Sequence, residues 1–306
     1  NIFRSMLGAD DTPDVQSAFV TTSVNLLATR HRAGAVGPAE TLYAEMYTML
    51  EQNQSLDDIQ TFFSEAHKYF DTVAVWRSKI NADWVKLLYP RYKKGLGPDD
   101  LTMAQINYFA GNAAFLDEQF EVAIPYIAES VALFKKCRNP KNQTWVEWYA
   151  TAINDLGALQ MQKAHDSKEA FLLIQEALGY RRELVVTSPV YINLLLKTLH
   201  NLTLYHYLNE DPVKSDAFLK EGIDLCKKTD PGALAQYGNE ISKELMQIAA
   251  FLNQTANRKM LEEVLVELLD ISILQFESNP AGFYQTLMEK ADYCSEFYFG
   301  VLTVTN

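Results

Sequence analysis

Residues 104–133 read AQINYFAGNAAFLDEQFEVAIPYIAESVAL. Apolar residues recur there at three- and four-residue steps, which predicts two helices of similar length folded back on one another across a tight turn. Gly111 is followed twelve residues later by Ala123 and seven after that by Ser130. Small residues in those places let two antiparallel helices approach closely.

The same order returns twice. From Thr151 the chain gives Leu156-Gly157, then Ala170 and Ala177, with one extra residue in the turn at Ala164 to Ser167. From Lys197 it gives Leu202-Thr203, then Ser215 and Gly222, again twelve and seven residues apart. Equivalent positions are spaced by about 46 residues, and self-similarity at such a period marks a helical solenoid whose units bury their apolar faces on their neighbours.

Composition agrees. Leu, Ala, Glu, Gln and Met are common across the 306 residues, glycine and proline are modest, and alternating Val, Ile and Thr runs are scarce, so an all-α protein is expected. A net charge of −12 surrounds the chain with a negative field that repels phosphate backbones and anionic lipid, which argues against a nucleic-acid partner. Arg30-His31-Arg32 and Arg91-Tyr92-Lys93-Lys94 are short and read as solvated helix ends. Cys137, Cys226 and Cys294 lie far apart in no metal-like spacing, which fits free thiols in a reducing, intracellular and cytoplasmic setting. No apolar run approaches a membrane span, and NIFRSMLGADD lacks the apolar centre of a secretory signal. A chain opening at Asn leaves an organellar location after removal of a targeting segment open.

Proline punctuates the helices, because its missing N–H costs nothing in a first turn. Pro13, Pro38, Pro98, Pro189, Pro212, Pro231 and Pro280 all suit such starts. Before the repeats, helices are expected from Pro13 to about Arg32, from about Ala39 to Gln52, from a capping box at Ser55 and Asp58 through Phe70, and along Trp76, Ile80, Trp84 and Leu88. After Pro231 a long helix is expected to lead through Asn253-Gln254-Thr255 into a second one over Leu261 to Phe276. Beyond Pro280 lies an unusually aromatic segment. Phe283, Tyr284, Phe297 and Tyr298 form a candidate contact surface there, the alternative being that the helix folds onto the end of the solenoid.

At Leu156-Gly157, at Glu176-Ala177-Leu178 with Arg181-Arg182-Glu183 behind it, and at AIPYIAESV over Ala123 to Val131, the chain resembles a tetratricopeptide-repeat protein, in particular the long repeats of the kinesin-light-chain type. Pro125, inside a second helix, is part of that pattern. The resemblance covers about residues 100–230; Thr203 and Gly222 depart from it, standing where the family has Gly and Ala. It implies a right-handed α-solenoid of antiparallel helix pairs, a single domain over 1–306. Divergent helix pairs occupy 1–99, three recognisable repeats 100–230 and divergent helices 231–306.

The resemblance also implies that the first helix of each pair lines a concave surface. Residues placed there are Gln105, Tyr108, Asn112 and Phe115 in the first unit, Thr151, Asn154, Ala158 and Met161 in the second, and Lys197, His200, Asn201, Leu204 and Tyr207 in the third. Asparagine offers a peptide backbone both a donor and an acceptor. Lys197 alone makes no basic clamp for a terminal carboxylate.

Catalytic chemistry has little to rest on. His31, His67, His165, His200 and His206 are dispersed, and His200 and His206 are six apart, not the four that would put both on one metal. GLGPDD at Gly95 to Asp100 lacks the lysine and hydroxyl of a phosphate loop. No catalytic residue, metal or cofactor is expected. The expectation is a non-enzymatic adaptor or scaffold that binds a protein segment in its groove. A structural subunit of a larger assembly is the alternative, with a peptide-sensing regulator third.

Overall fold

The computed structural model describes residues 36–52, 100–255 and 257–304, together with isolated positions between 22 and 88. Every element among these residues is helical: α1 (Val36–Gln52), α2 (Asp100–Leu116), α3 (Phe120–Lys136), α4 (Gln143–Lys163), α5 (Lys168–Thr187), α6 (Ile192–Leu208), α7 (Pro212–Lys228), α8 (Pro231–Gln254), α9 (Arg258–Ser278) and α10 (Pro280–Val304). A short 3₁₀ turn over Pro189–Tyr191 precedes α6. The capping box at Ser55 and Asp58 lies outside the described residues, as does most of the helix expected at 13–32 and of the run through Phe70, of which positions 22, 23, 25, 26, 29 and 62 are described and helical; positions 79, 80, 82, 83 and 85–88 are helical as expected.

The chain divides into two compact units, 1–138 and 139–306. In the first, the Tyr43 hydroxyl of α1 donates to Asp83 Oδ2 at 3.0 Å and its ring meets Phe62 at 5.7 Å, beside buried Met46, Leu50, Ile80 and Leu88. Helices α2 and α3 form an antiparallel hairpin. Ser130 Oγ donates to the Ala104 carbonyl at 2.7 Å, and Gly111 lies against Ala123 and Ile127. Pro125 sits inside α3, as the repeat pattern implies.

The second unit stacks three such pairs, α4 with α5, α6 with α7, and α8 with α9, and closes with α10 against α9. Gly157 packs on Ala170 and Ile174, and Ser215 Oγ donates to the Thr203 carbonyl at 3.0 Å, so the spacing of small residues read from the sequence is the spacing of the helix crossings. In the third repeat the glycine has changed sides: Thr203 replaces it on the first helix, and Gly222 on the second takes the close approach from Leu196. A fourth crossing has the same character, with Gly238 of α8 under Ile271 and Gln275 of α9. One apolar core runs through α6 to α10, including Leu196, Ile223, Leu245, Leu268 and Cys294.

Local chemistry sets the helix starts. Asn142, Ser167, Asp211, Asp230 and Asn257 each accept a hydrogen bond from a first-turn backbone N–H, satisfying donors that the helix itself leaves open. Pro212 and Pro231 take the first helical position as expected. Pro189 instead opens the 3₁₀ turn, and α6 begins only at Ile192.

Candidate functional site

The second unit brings the first helices of its pairs, α4, α6 and α8, side by side in parallel. Their contacts keep a nearly constant sequence offset close to one repeat: Glu147 with Tyr191, Asn154 with Asn201, and His165 with Asn209. A row of polar side chains results across the middle of this face. Asn154 Oδ1 accepts from Thr198 Oγ1 at 3.1 Å and from Asn201 Nδ2 at 3.2 Å, while its own Nδ2 donates to Asp155 Oδ1 at 2.9 Å. Lys197 Nζ pairs with the same Asp155 oxygen at 2.9 Å.

Beneath the row lies Arg181, wholly buried on α5. One of its Nη atoms donates at 2.6 Å both to the Leu194 carbonyl and to Thr198 Oγ1. A buried guanidinium demands compensating charge, and three carboxyls of this face, Glu147, Asp155 and Glu244, interact with it electrostatically. Burial alone would raise the Asp155 carboxyl, but Lys197 and Arg181 outweigh it and hold Asp155 below the usual range. Burial prevails at Glu147 over the Tyr191 hydroxyl and Arg181, and at Glu244 over Lys197, Arg181 and Lys243, and both carboxyls are raised. Glu147 accepts from the Tyr191 hydroxyl at 3.2 Å; Glu244 Oε2 is buried with no hydrogen-bond partner.

Toward the C-terminal ends of α6 and α8 the face turns aromatic. Phe251 meets the His200 ring at 6.0 Å and the Tyr207 ring edge-on at 5.3 Å, and Tyr207 remains 44% exposed. Loss of hydration against these neighbours lowers the His200 pKa to about 4, so the ring is a neutral imidazole at pH 7.

The residues singled out from the sequence fall into distinct places. Lys197, His200, Asn201, Leu204 and Tyr207 share this face of α6 with partial or full exposure, next to partly buried Thr151 and Ala158 on α4. Asn154 and Met161 are buried, so Asn154 reaches the face through Asn201, Thr198 and Asp155. In the first unit Tyr108 is buried with its ring edge-on to Phe109, while Gln105, Asn112 and Phe115 are partly exposed. On α10 Phe283 is partly buried, Tyr284 is 57% exposed beside Phe276, and the side chains of Phe297 and Tyr298 lie outside the described residues. That helix is tied down by Cys294 in the core and by the Tyr293 hydroxyl on the Met246 carbonyl at 3.1 Å.

Arg181, Glu147, Asp155 and Glu244 were not singled out as functional from the sequence. Arg181 did carry a signal, since it sits midway between Leu178 and Leu184 on the buried stripe of α5, where a charge has no reason to be unless it is paired. The carboxyls carried none. Glu147 and Asp155 lie on α4 and Glu244 on α8, two repeats further along the chain.

No family model and no curated protein matches the chain. Among solved structures it is similar to the crystal structure of BtubC (BKLC) from P. vanneervenii, with 20% identity over 72% of this chain and 84% of that one and a TM-score of 0.54. The likeness is one of fold: the chain has an all-helical, tetratricopeptide-like solenoid fold of paired helices. No helix among the described residues is long and apolar enough to cross a membrane.

Proposed function

We propose that the chain is a non-enzymatic interaction adaptor that holds a segment of a partner protein across α4, α6 and α8. The observation that carries this reading is the graded face itself: a hydrogen-bonded row at Asn154, Asn201, Lys197 and Asp155 borders the exposed Tyr207 ring on Phe251. Amides and ion pairs offer a peptide backbone its donors and acceptors, and a ring beside them supplies apolar area. The fold supports the reading, because repeat solenoids present extended surfaces of this kind. The three groove helices lie within one compact unit, so the face does not depend on the first unit.

The test is a pull-down from native extract with the full chain and with Asn201→Ala combined with Tyr207→Ala. The double variant should lose partners that the parent retains while its melting temperature stays within a few degrees. Equal recovery by both would sink the reading. A structural-subunit role is the second reading, favoured by exposed Val266, Ile273, Tyr284 and Met288 on α9 and α10. In that case the partners would come down in fixed stoichiometry and survive the groove substitutions.

A further inference from the structure

The second helices of the second unit are joined to one another by a repeated ion pair. Arg182 of α5 reaches Glu221 of α7 at 2.7 Å, and Lys227 of α7 reaches Glu263 and Glu267 of α9 at 3.5 and 3.9 Å. Near the other end of α7, Asp216 accepts from Asn257, the cap of α9, at 3.1 Å. The stripe of α7 bounded by these two contacts is Asp216, Lys220, Ile223 and Lys227, at steps of four, three and four residues that keep one face of a helix.

One period of 46 residues further on, the same four places on α9 hold Glu262, Val266, Leu269 and Ile273. Two lysines have become Val266 and Ile273, which are 46% and 43% exposed. Helix α10 lies against α9 as α6 lies against α5, and among the described residues no further second helix follows it. Phe276 of α9 meets Tyr284 of α10 with ring centroids 6.4 Å apart, and exposed Met288 stands one turn beyond Tyr284 on the same side of α10. An apolar cleft between α9 and α10 results, in register with the next helix of the row.

Its rim selects among helices. Glu262, Asp270 and Glu277 on α9 and Glu289, Asp292 and Glu296 on α10 are exposed, and residues 258–304 hold eight carboxylates against three cations. Two faces so acidic repel each other, which disfavours a second copy of this chain, whereas basic flanks are attracted. Ile273 stands where the earlier rungs carry a cation, so an occupant meets it with an apolar side chain and not with the glutamate that α7 and α9 present.

We propose that a partner protein docks an amphipathic helix in this cleft, in the place of a further second helix, with an apolar stripe on Val266, Ile273, Tyr284 and Met288 and with lysine or arginine on its flanks against the acidic rim. At about 1.5 Å per residue, Glu262 to Glu277 spans about 22 Å, which a helix of about 15 residues covers; α7 has 17. Such a helix offers its anchors at i, i+3 or i+4 and i+7. The cleft is separate from the face of α4, α6 and α8, and the proposal does not rest on the groove reading.

Three synthetic helical peptides of about 18 residues test it. Two share a leucine stripe and differ in having lysines or glutamates on the flanks; the third keeps the lysines and scrambles the stripe. Fluorescence anisotropy with the full chain at physiological ionic strength should show the striped lysine peptide binding about tenfold or more tighter than either of the others. Ile273→Asp should weaken it by about tenfold or more, with the melting temperature within a few degrees. That substitution adds a negative charge, so attraction by charge alone would strengthen binding instead, and that outcome overturns the proposal. Tyr284→Ser combined with Met288→Ser, on the opposite wall, should weaken binding as well and decides the matter if Ile273→Asp disturbs the fold. Equal binding of the three peptides, indifference to both variants, or no binding at all overturns the proposal. Two further results would overturn it: loss of the peptide on Asn201→Ala with Tyr207→Ala, which would place it in the groove, and a dimer in sedimentation that Ile273→Asp dissociates, which would make a second copy the occupant.

Discussion

Arg181 shows how much one side chain can organise. It is wholly buried on a second helix, yet it holds the Leu194 carbonyl and Thr198 of the following repeat and lies within the field of carboxyls from α4 and α8. Replacing one partner of a buried charge network strands the others, which costs about 3–5 kcal/mol. Arg181→Met should lower the urea midpoint by a corresponding amount, and a loss under 1 kcal/mol would show that the carboxyls do not depend on it. Asn154 belongs to the same network. Asn154→Ala removes the acceptor of Thr198 Oγ1 and Asn201 Nδ2, at a cost of about 1–3 kcal/mol for the buried groups left open. Its replacement should therefore reduce stability and binding together, whereas Asn201, partly exposed, reports on binding more directly.

At the scale of the helix pair, glycines and turns decide what the repeat tolerates. A Cβ on Gly157 would stand 2.6 Å from Ile174 and 2.9 Å from the Ala170 backbone oxygen, so Gly157→Ala forces the crossing apart and should cost about 1–3 kcal/mol. Gly179 meets nothing within 4 Å, and Gly179→Ala should gain up to about 1 kcal/mol from helix propensity alone. Thermal unfolding of the two variants should move in opposite directions. The turns add a second contrast. Glu118 and Glu210, two periods apart, both adopt a φ of 58° after α2 and α6, and in each case a backbone N–H reaches five residues back, Gln119 to Ala114 and Asp211 to His206. This is a Schellman-type helix end, where glycine is the relaxed residue. Glu118→Gly and Glu210→Gly should each stabilise by about 1 kcal/mol, measured by urea unfolding. The second repeat, with its extra turn residue, ends α4 in extended backbone at Ala164 instead. The pairs, their period and Pro125 were legible in the sequence, because packing at a crossing restricts residue size at fixed spacing. The fourth crossing at Gly238 was not singled out, since no recognisable repeat frames it. The charge network was hidden for a different reason: Arg181 of α5 interacts with Glu147 and Asp155 of α4 and with Glu244 of α8, and no spacing along the chain encodes that meeting.

Across the whole molecule, stability against pH is a sum of titrations with opposing signs. His200 has its pKa lowered from 6.5 to about 4 by loss of hydration, so the unfolded chain takes up a proton before the folded one. Its contribution is complete above about pH 6.5 and is lost as the pH falls toward about 4. Asp155 acts in the same sense at lower pH, present above its ordinary value of 3.8 and lost as the pH falls through its depressed folded value. Glu147 and Glu244 act oppositely: burial raises both above 4.5, so their contribution is complete below that value and is lost as the pH rises through their raised folded values. Around Glu244 the opposing groups are Lys197, Arg181 and Lys243, with Asp155 reinforcing the rise, and around Glu147 they are Tyr191 and Arg181. The unlike signs can be separated by substitution. Glu244→Gln removes a carboxyl that the fold holds against its preference, so relative to the parent it should be more stable at pH 7 than at pH 4.5. His200→Gln removes the group that makes mild acid costly, so its urea midpoint should fall less than the parent's between pH 6.5 and 4. Urea midpoints of the parent and both variants at half-unit steps from pH 4 to 7 measure this. Parallel curves for the parent and His200→Gln would mean that His200 titrates alike in the folded and unfolded chains, and that the Phe251 contact does not strip its hydration.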